Sequence, residues 1–505
     1  MSRWYPVFGI VVLSFVATVC NAQVIQPADL SFPTISTENA SYGSRMSSNG
    51  QWLAIGADYE AVSDSGEGEV YLYTKNNTGW VLQQVIRAPD GFVGNHFGLP
   101  VVLGQRKMLI GAPLDTEGGA NSGAVYVYRL EINEWVYEGK IISPSQNPGA
   151  LFGLSLCFGA DENEIIVGAY FESLVSQTSG ATYVYRRVNG EWSYLQRLTI
   201  PDGQPAAYFG RSVAVSGLNL IVGASGYRAA SNQSAQGAVI LYQRDIEEWT
   251  WTLKELVLPP QPAAFQTFGE WIDVSGSIVA VGSPGFTEGI GRGLVNTFTI
   301  DPAGQLIHTH RIDPPASECD LFGFPCTFSP SGRYMMIGGS TTSFEIEDEG
   351  AAYIVQSTPS GWERPVRLVP SQSGEKDFFG LSAAFSENED EIFVSSPRCD
   401  VQALDAGAVF RFRLTDCTAN GVLDAWDIAT GDEVDLDNDG IPDSCQDQVC
   451  PGDLNDDGQV NGSDIGTLLG AFGSTDPPRG TDLNGDGIIN GADLGMFFAV
   501  WGPCS

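Results

Sequence analysis

Histidine and positive charge are both scarce in this sequence. Among 505 residues there are three His and 25 Lys plus Arg, against 61 Asp plus Glu, for a formal net charge of −36. A nucleic-acid-binding surface is excluded at this balance, because every phosphate contact would work against the field of the whole molecule. His308 and His310 share a face of one strand, but no third metal ligand stands at a readable spacing. No Gly-x-Ser-x-Gly elbow, phosphate loop or His-Glu-x-x-His pair occurs. Beyond the N-terminus, no apolar run reaches the roughly 20 residues of a membrane span. Charged residues make up only 17%, while 60 Gly and 28 Pro favour turns and short strands over long helices. Hydrophobic residues, at 43%, supply enough core to exclude global disorder.

At the N-terminus, Arg3 precedes an apolar stretch from Val7 to Val19 and then Cys20-Asn21-Ala22. That order describes a secretory signal peptide over residues 1–22, with a mature chain that begins at Gln23 and is exported to an extracellular, cell-surface or periplasmic location. Eight cysteines then remain, an even number in a compartment that permits disulfides.

Self-comparison exposes seven repeats. An aromatic-Gly pair recurs at Tyr42-Gly43, Phe97-Gly98, Phe152-Gly153, Phe209-Gly210, Phe268-Gly269, Phe322-Gly323 and Phe379-Gly380. An apolar-Gly-Ala-type mark follows, as in Ile55-Gly56-Ala57 and Val222-Gly223-Ala224, degraded to Val394-Ser395-Ser396 in the last repeat. A third mark is typified by Gly123-Ala124-Val125-Tyr126, and Trp80, Trp135, Trp192, Trp249 and Trp362 open a fourth segment. Each unit reads as four short strands bounded by turn residues. Such a unit cannot cover both sheet faces alone, and radial stacking solves that problem, so residues 23–415 are expected to form a seven-bladed β-propeller in a mainly β protein. Val24 to Ser36 should supply the strand that the last repeat lacks. The connections Asp115 to Ser122, Phe171 to Ser179, Gly226 to Gln236 and Thr341 to Glu349 are long and share one face, the candidate binding surface. Ser44, Leu99, Leu154, Arg211, Glu270, Phe324 and Leu381 should face the central funnel, a largely apolar ring without the carboxylate pair that glycoside hydrolysis needs.

These marks resemble FG-GAP repeats, the unit of integrin α-subunit propellers and of many secreted bacterial proteins. The resemblance implies the propeller fold. The sequence departs from the family pattern where short connections such as Ser48-Asn49-Gly50 replace its calcium loops.

From Asp416 onward the chain changes character, with 18 acidic residues and one basic, Arg479. Asp453, Asn455, Asp457, Gln459 through its carbonyl, Asn461 and Asp464 fall at the ligand positions of a twelve-residue calcium loop; Asp482, Asn484, Asp486, Ile488 through its carbonyl, Asn490 and Asp493 repeat them. Each loop runs into a helical stripe, Ile465, Leu468, Leu469, Phe472 and then Leu494, Phe497, Phe498, Trp501, and the two stripes should pack together. Residues 450–505 resemble a type I dockerin, which implies calcium as cofactor and a cohesin-like protein as partner. Gly462-Ser463 and Gly491-Ala492 replace the paired hydroxyl residues of cellulosomal dockerins. Between body and tail, residues 416–449 form an acidic linker in which Asp435, Asp437, Asp439 and Asp443 resemble a thrombospondin type-3 calcium repeat, with a degenerate copy at Asp416 to Asp424. A Cys450–Cys504 disulfide should bracket the tail; Cys417–Cys445 and Cys319–Cys326 are further expected pairs.

These features describe an exported calcium-binding protein, not an enzyme. The propeller would present its loops to an extracellular protein or glycan, and the tail would dock or anchor it. The alternative is an accessory component or enzyme of a polysaccharide-degrading system.

Overall fold

The computed structural model describes residues 24–25, 29–30, 38–59, 67–76, 79–91, 94–229, 234–285, 293–315, 321–342, 348–400, 403–418, 420–434, 442–445, 452–455, 459–473, 481, 483 and 488–503. The signal-peptide residues therefore lie outside it, as do Cys319, Cys450 and Cys504.

Seven antiparallel sheets stand around an axis. The first is Tyr42–Ser48, Trp52–Ala57, Glu69–Asn76 and Gly79–Arg87, in that order from the axis outward; repeats two to six build the same meander and the seventh contributes its first three strands. Second strands such as Lys107–Ala112 and Glu164–Ala169 are buried along their whole length, because each is sandwiched by neighbours within its sheet and by the blades on either side. Fourth strands face solvent, as in Trp251–Val257, where Trp251 alone is buried. The hydrophobic core lies between blades: Val125 and Val127 of the second pack with Phe152, Ile165 and Val167 of the third.

Glycine sets how closely the blades approach. Gly123, which opens the third strand of blade two, has φ +87°, and a Cβ there would sit 2.0 Å from the Phe152 carbonyl oxygen of blade three. Phe152 N–H donates to Ser122 O at 2.9 Å alongside it. The same contact closes the ring, since a Cβ on Gly407 would meet Tyr42 O at 2.3 Å. The recurrent glycines thus admit the backbone of the next blade rather than relieve crowding at the axis. At the rim, Gln84 exchanges two 2.9 Å hydrogen bonds with the backbone of Trp135, and Gln196 repeats this with Trp251.

The N-terminal segment also closes the ring, in a divided way. Asp29–Leu30 pairs antiparallel with Ala408–Arg413 as the fourth strand of blade seven. Val24–Ile25 instead lies parallel to Val366–Leu368 at the edge of blade six. The expectation of a strand serving the last blade alone is corrected accordingly, and residues 26–28 and 31–37 lie outside the described residues.

The linker holds a helix that its loop-like composition concealed. Helix α1 (Asp424–Thr430) ends at Gly431, in the left-handed conformation at φ 78°. Leu423 and Trp426 are buried against Val366, Leu368 and Phe412 of the last two blades, which fixes the start of the linker to the propeller core. Cys417 and Cys445 form a disulfide, with Cα atoms 5.8 Å apart. Cys326 is a free thiol, fully buried in the core between blades five and six, and its expected partner Cys319 lies outside the described residues.

Gly123→Ala should lower stability by more than about 2 kcal/mol, since the left-handed backbone alone costs roughly 1–2 kcal/mol and the Phe152 carbonyl must also retreat. Gly190→Ala is the control: its φ is +92° but its Cβ site is open. Urea denaturation that found the two variants equally destabilised would reject the contact as the source of the requirement.

Candidate calcium centres and the propeller faces

In the tail, helix α2 (Gly462–Gly470) and helix α3 (Gly491–Ala499) begin with the same capping box. Asn461 Oδ1 accepts Ser463 N–H at 2.9 Å, while Asp464 Oδ2 accepts Asn461 N–H at 2.8 Å and its Oδ1 accepts Leu454 N–H at 2.9 Å. In α3, Asp493 accepts Asn490 N–H at 2.8 Å and Leu483 N–H at 3.0 Å, and Asn490 Oδ1 accepts Ala492 N–H at 2.8 Å. Position twelve of each loop is therefore held back onto position two, and both carboxylates are fully buried. Asn461 and Asn490 also donate to the carbonyls of Gln459 and Ile488. Arg479 is the only basic residue from Asp416 to the end of the chain, so the segment has almost no cationic side chain to compensate buried carboxylates. Oxygen-rich loops of this kind fit calcium, which takes six to eight hard oxygen ligands. Asp453 and Asn455 are described; Asp457, Asp482, Asn484 and Asp486 lie outside the described residues, as do Asp435, Asp437 and Asp439 of the linker. Asp443 opens a short 3₁₀ turn to Cys445.

The helical stripes divide rather than close on each other. Leu468 and Phe497 are buried with Val460, Leu483 and Ile489 in a small core, which Ile465 and Leu494 flank. Leu469, Phe472, Phe498 and Trp501 remain about half exposed, with the rings of Phe498 and Trp501 stacked at 5.8 Å. Two nine-residue helices share too little surface to cover both halves of each stripe.

Sequence reasoning missed Asp427. Asp416, Thr418, Asn420 and Asp424 occupy positions one, three, five and nine of a twelve-residue loop, and Asp427 is its twelfth member. Asp427 Oδ2 accepts Asn420 Nδ2–H at 2.9 Å and Thr418 Oγ–H at 3.4 Å. Asp416 accepts the backbone N–H groups of Asn420 and Gly421 at 3.1 and 3.0 Å. Burial and the nearby Asp424 carboxylate push the Asp427 carboxyl up. The signal was present, because Asp416 and Asp427 have the same separation as Asp453 and Asp464.

On the propeller's long-loop face, buried ionic clusters root the loops. Glu172, fully buried where the second strand of blade three ends, accepts from Tyr183, from Arg197 Nε–H at 2.8 Å and from Ser145 Oγ–H at 2.8 Å. Blade two repeats the device, with Lys140 Nζ 2.8 Å from Asp115 and 2.6 Å from Asp90. Burial works against the Lys140 charge, but its hydrogen bonds to Asp115, Asp90 and Glu117 hold its pKa well above the ordinary lysine value.

The funnel differs from the expected ring. Leu154, Arg211 and Glu270 line it, but Ser44 turns away to Gly56 O, and Arg45 takes its place. Arg211 and Glu270 pair at 2.6 Å. Asp273 joins the lining, where its oxygens accept Val274 N–H at 2.9 Å and Phe328 N–H at 2.7 Å; desolvation lifts its carboxyl to about 6 against these bonds. Both carboxyl groups of the funnel are thus engaged, one by a guanidinium and one by backbone. His308 Nε2 lies 3.1 Å from Asn296 Oδ1, an ordinary strand contact.

Comparison with known proteins identifies both parts. The FG-GAP repeat model matches residues 80–128 and 192–242, and the dockerin type I domain model matches residues 451–497. The chain thus joins a seven-bladed propeller that carries FG-GAP repeats to a C-terminal region that matches a type I dockerin. Each FG-GAP match runs from the Trp of one blade's fourth strand to the third strand of the next blade, so the repeat unit crosses the boundary between two blades. Integrin alpha-11 from Homo sapiens and from Mus musculus are each 29% identical over 162 residues, which is 29% of this chain. The match spans 13% of the length of those relatives. Among the described residues, no helix of the propeller or dockerin is long and apolar enough to cross a membrane.

Two outcomes test this description. Glu172→Gln leaves Arg197 half-buried without its counter-charge and should cost about 3 kcal/mol, read as a lower urea midpoint; a change below about 0.5 kcal/mol would remove the cluster from the account of loop rigidity. Asp273 holds its proton more tightly in the native state than at the ordinary value of 3.8. Its contribution to stability is therefore full below about pH 4 and is lost as pH rises through about 6. Asp273→Asn should gain on the parent chain between about pH 4.5 and about pH 7, and parallel stability profiles would contradict the shift.

Proposed function

We propose that this is an exported, non-catalytic binding protein in two parts. The propeller presents its long-loop face to an extracellular protein or glycan, and the dockerin, organised by calcium, attaches the molecule to a cohesin-like partner. The observation that carries this reading is the exposed half-stripe of Leu469, Phe472, Phe498 and Trp501 beside two loops of calcium-ligand pattern. Exposed large apolar side chains on so small a module are characteristic of a protein contact. Gly462-Ser463 and Gly491-Ala492 give that contact a different chemistry from paired hydroxyl residues.

Calcium is the cofactor of both dockerin loops, of the loop from Asp435 to Asp443 and of the loop from Asp416 to Asp427. Helices under about 12 residues are marginal alone, so metal binding and dockerin folding are coupled. A Cys450–Cys504 disulfide ties the ends of the module. In support, a Cβ on Gly452 would lie 3.2 Å from Val460 and Val500, so the described chain just after Cys450 and just before Cys504 runs close together. The polysaccharide-degrading enzyme alternative is not favoured, because Glu270 and Asp273 are both engaged.

Calorimetry of the full chain should show one transition that EGTA abolishes and calcium restores, and a second that EGTA scarcely moves. Capture of a partner from secreted and cell-surface fractions should require calcium and fall at least tenfold in a Phe498→Ser, Trp501→Ser variant. A dockerin transition indifferent to EGTA would refute the calcium coupling, and undiminished capture by the variant would refute the docking face.

A further inference from the structure

The first strands of the blades enclose a channel of about 330 Å³ along the propeller axis. Most polar side chains in its wall already join one blade to the next. Ser155 Oγ–H donates to Gly210 O at 2.7 Å and Ser212 Oγ–H to Gly269 O at 2.8 Å, while Ser382 Oγ accepts Met46 N–H at 2.9 Å. Asp273 accepts Phe328 N–H, and Glu270 holds Arg211.

Arg45 is different. It starts from blade one and reaches across the channel, so that its guanidinium lies 5.3 Å from the ring centre of Trp271 in blade five. Its side-chain hydrogen bond is to a neighbouring carbonyl, Ser44 O, at 2.7 Å. Among the described residues, none of the ion pairs of the molecule involves Arg45, although the net charge is −36. Burial and the like charge of Arg211 bring its pKa down to about 10, against the opposing pull of the Asp58 carboxylate. A guanidinium placed between apolar walls offers a planar fork of donors that matches a carboxylate.

We propose that the axial channel binds a small organic monocarboxylate, with Arg45 as the receptor for the carboxylate and Trp271 as a wall against its carbon skeleton. The volume lies at the lower end of ligand pockets, roughly 300–1,000 Å³, which suits a single ring or a short chain. Glu270 and Asp273 select against multiply charged anions such as phosphate, whose second charge would face a carboxylate. The site is separate from the long loops and the dockerin, so it stands or falls independently of the docking reading.

Isothermal titration of the full chain with glucuronate, benzoate and inorganic phosphate tests the assignment. At least one of the two carboxylates should bind saturably at one site per chain, and more tightly than phosphate. Arg45→Met should weaken that binding at least tenfold, and Arg45→Lys, which keeps the charge but loses the fork, should weaken it less. Circular dichroism and the melting temperature establish that each variant is folded; if Arg45→Met is not, Arg45→Lys alone decides, and affinity equal to the parent's overturns the proposal. Absence of saturable binding by either carboxylate overturns it as well, as does phosphate binding more tightly than both.

Discussion

The contact on which this molecule depends is backbone against backbone. A glycine at the head of each third strand admits the carbonyl of the aromatic residue that begins the next blade, at a distance no side chain would allow. Burial of Phe97, Phe152, Phe209, Phe268 and Phe322 follows from that approach, and so does the formation of apolar cores between sheets rather than within them. Each matched repeat holds one half of two such contacts: in residues 80–128, Phe97 meets Gly68 of the blade before and Gly123 meets Phe152 of the blade after.

A ring locked in this way can carry charge inside its walls. Glu172 and Asp115 are buried at the roots of long loops, where Arg197 and Lys140 from the outermost strands of the same blades neutralise them. Breaking one partner of such a pair is costly, while the pair itself contributes little net stability. Its physical effect is to hold each loop root in one position. Variable loops on fixed roots are a common arrangement for binding surfaces, and the propeller face has that form.

The dockerin follows another rule. Its core of Val460, Leu468, Leu483, Ile489 and Phe497 is small, and its helices start where Asn and Asp side chains satisfy the free N–H groups. Loop and helix are therefore one unit, since Asp464 and Asp493 belong to both the cap and the ligand pattern. In the linker, Asp427 holds a similar place, and Trp426 beside it seals the helix against the last two blades.

The number of blades, the order of strands and the positions of the dockerin loops were legible in the sequence, because each depends on residue types recurring at fixed intervals. Glycine, alternating apolar residues and oxygen ligands act locally, and local requirements leave periodic marks. Tertiary structure alone decided what depends on neighbours distant in the chain. It divided the N-terminal segment between blades six and seven, buried Cys326 as a free thiol and turned Arg45 rather than Ser44 into the channel. It also left half of each dockerin stripe exposed. A sequence states that a residue is apolar or charged; only the packed molecule decides whether a partner covers it, because that partner comes from an element with its own, independent geometry.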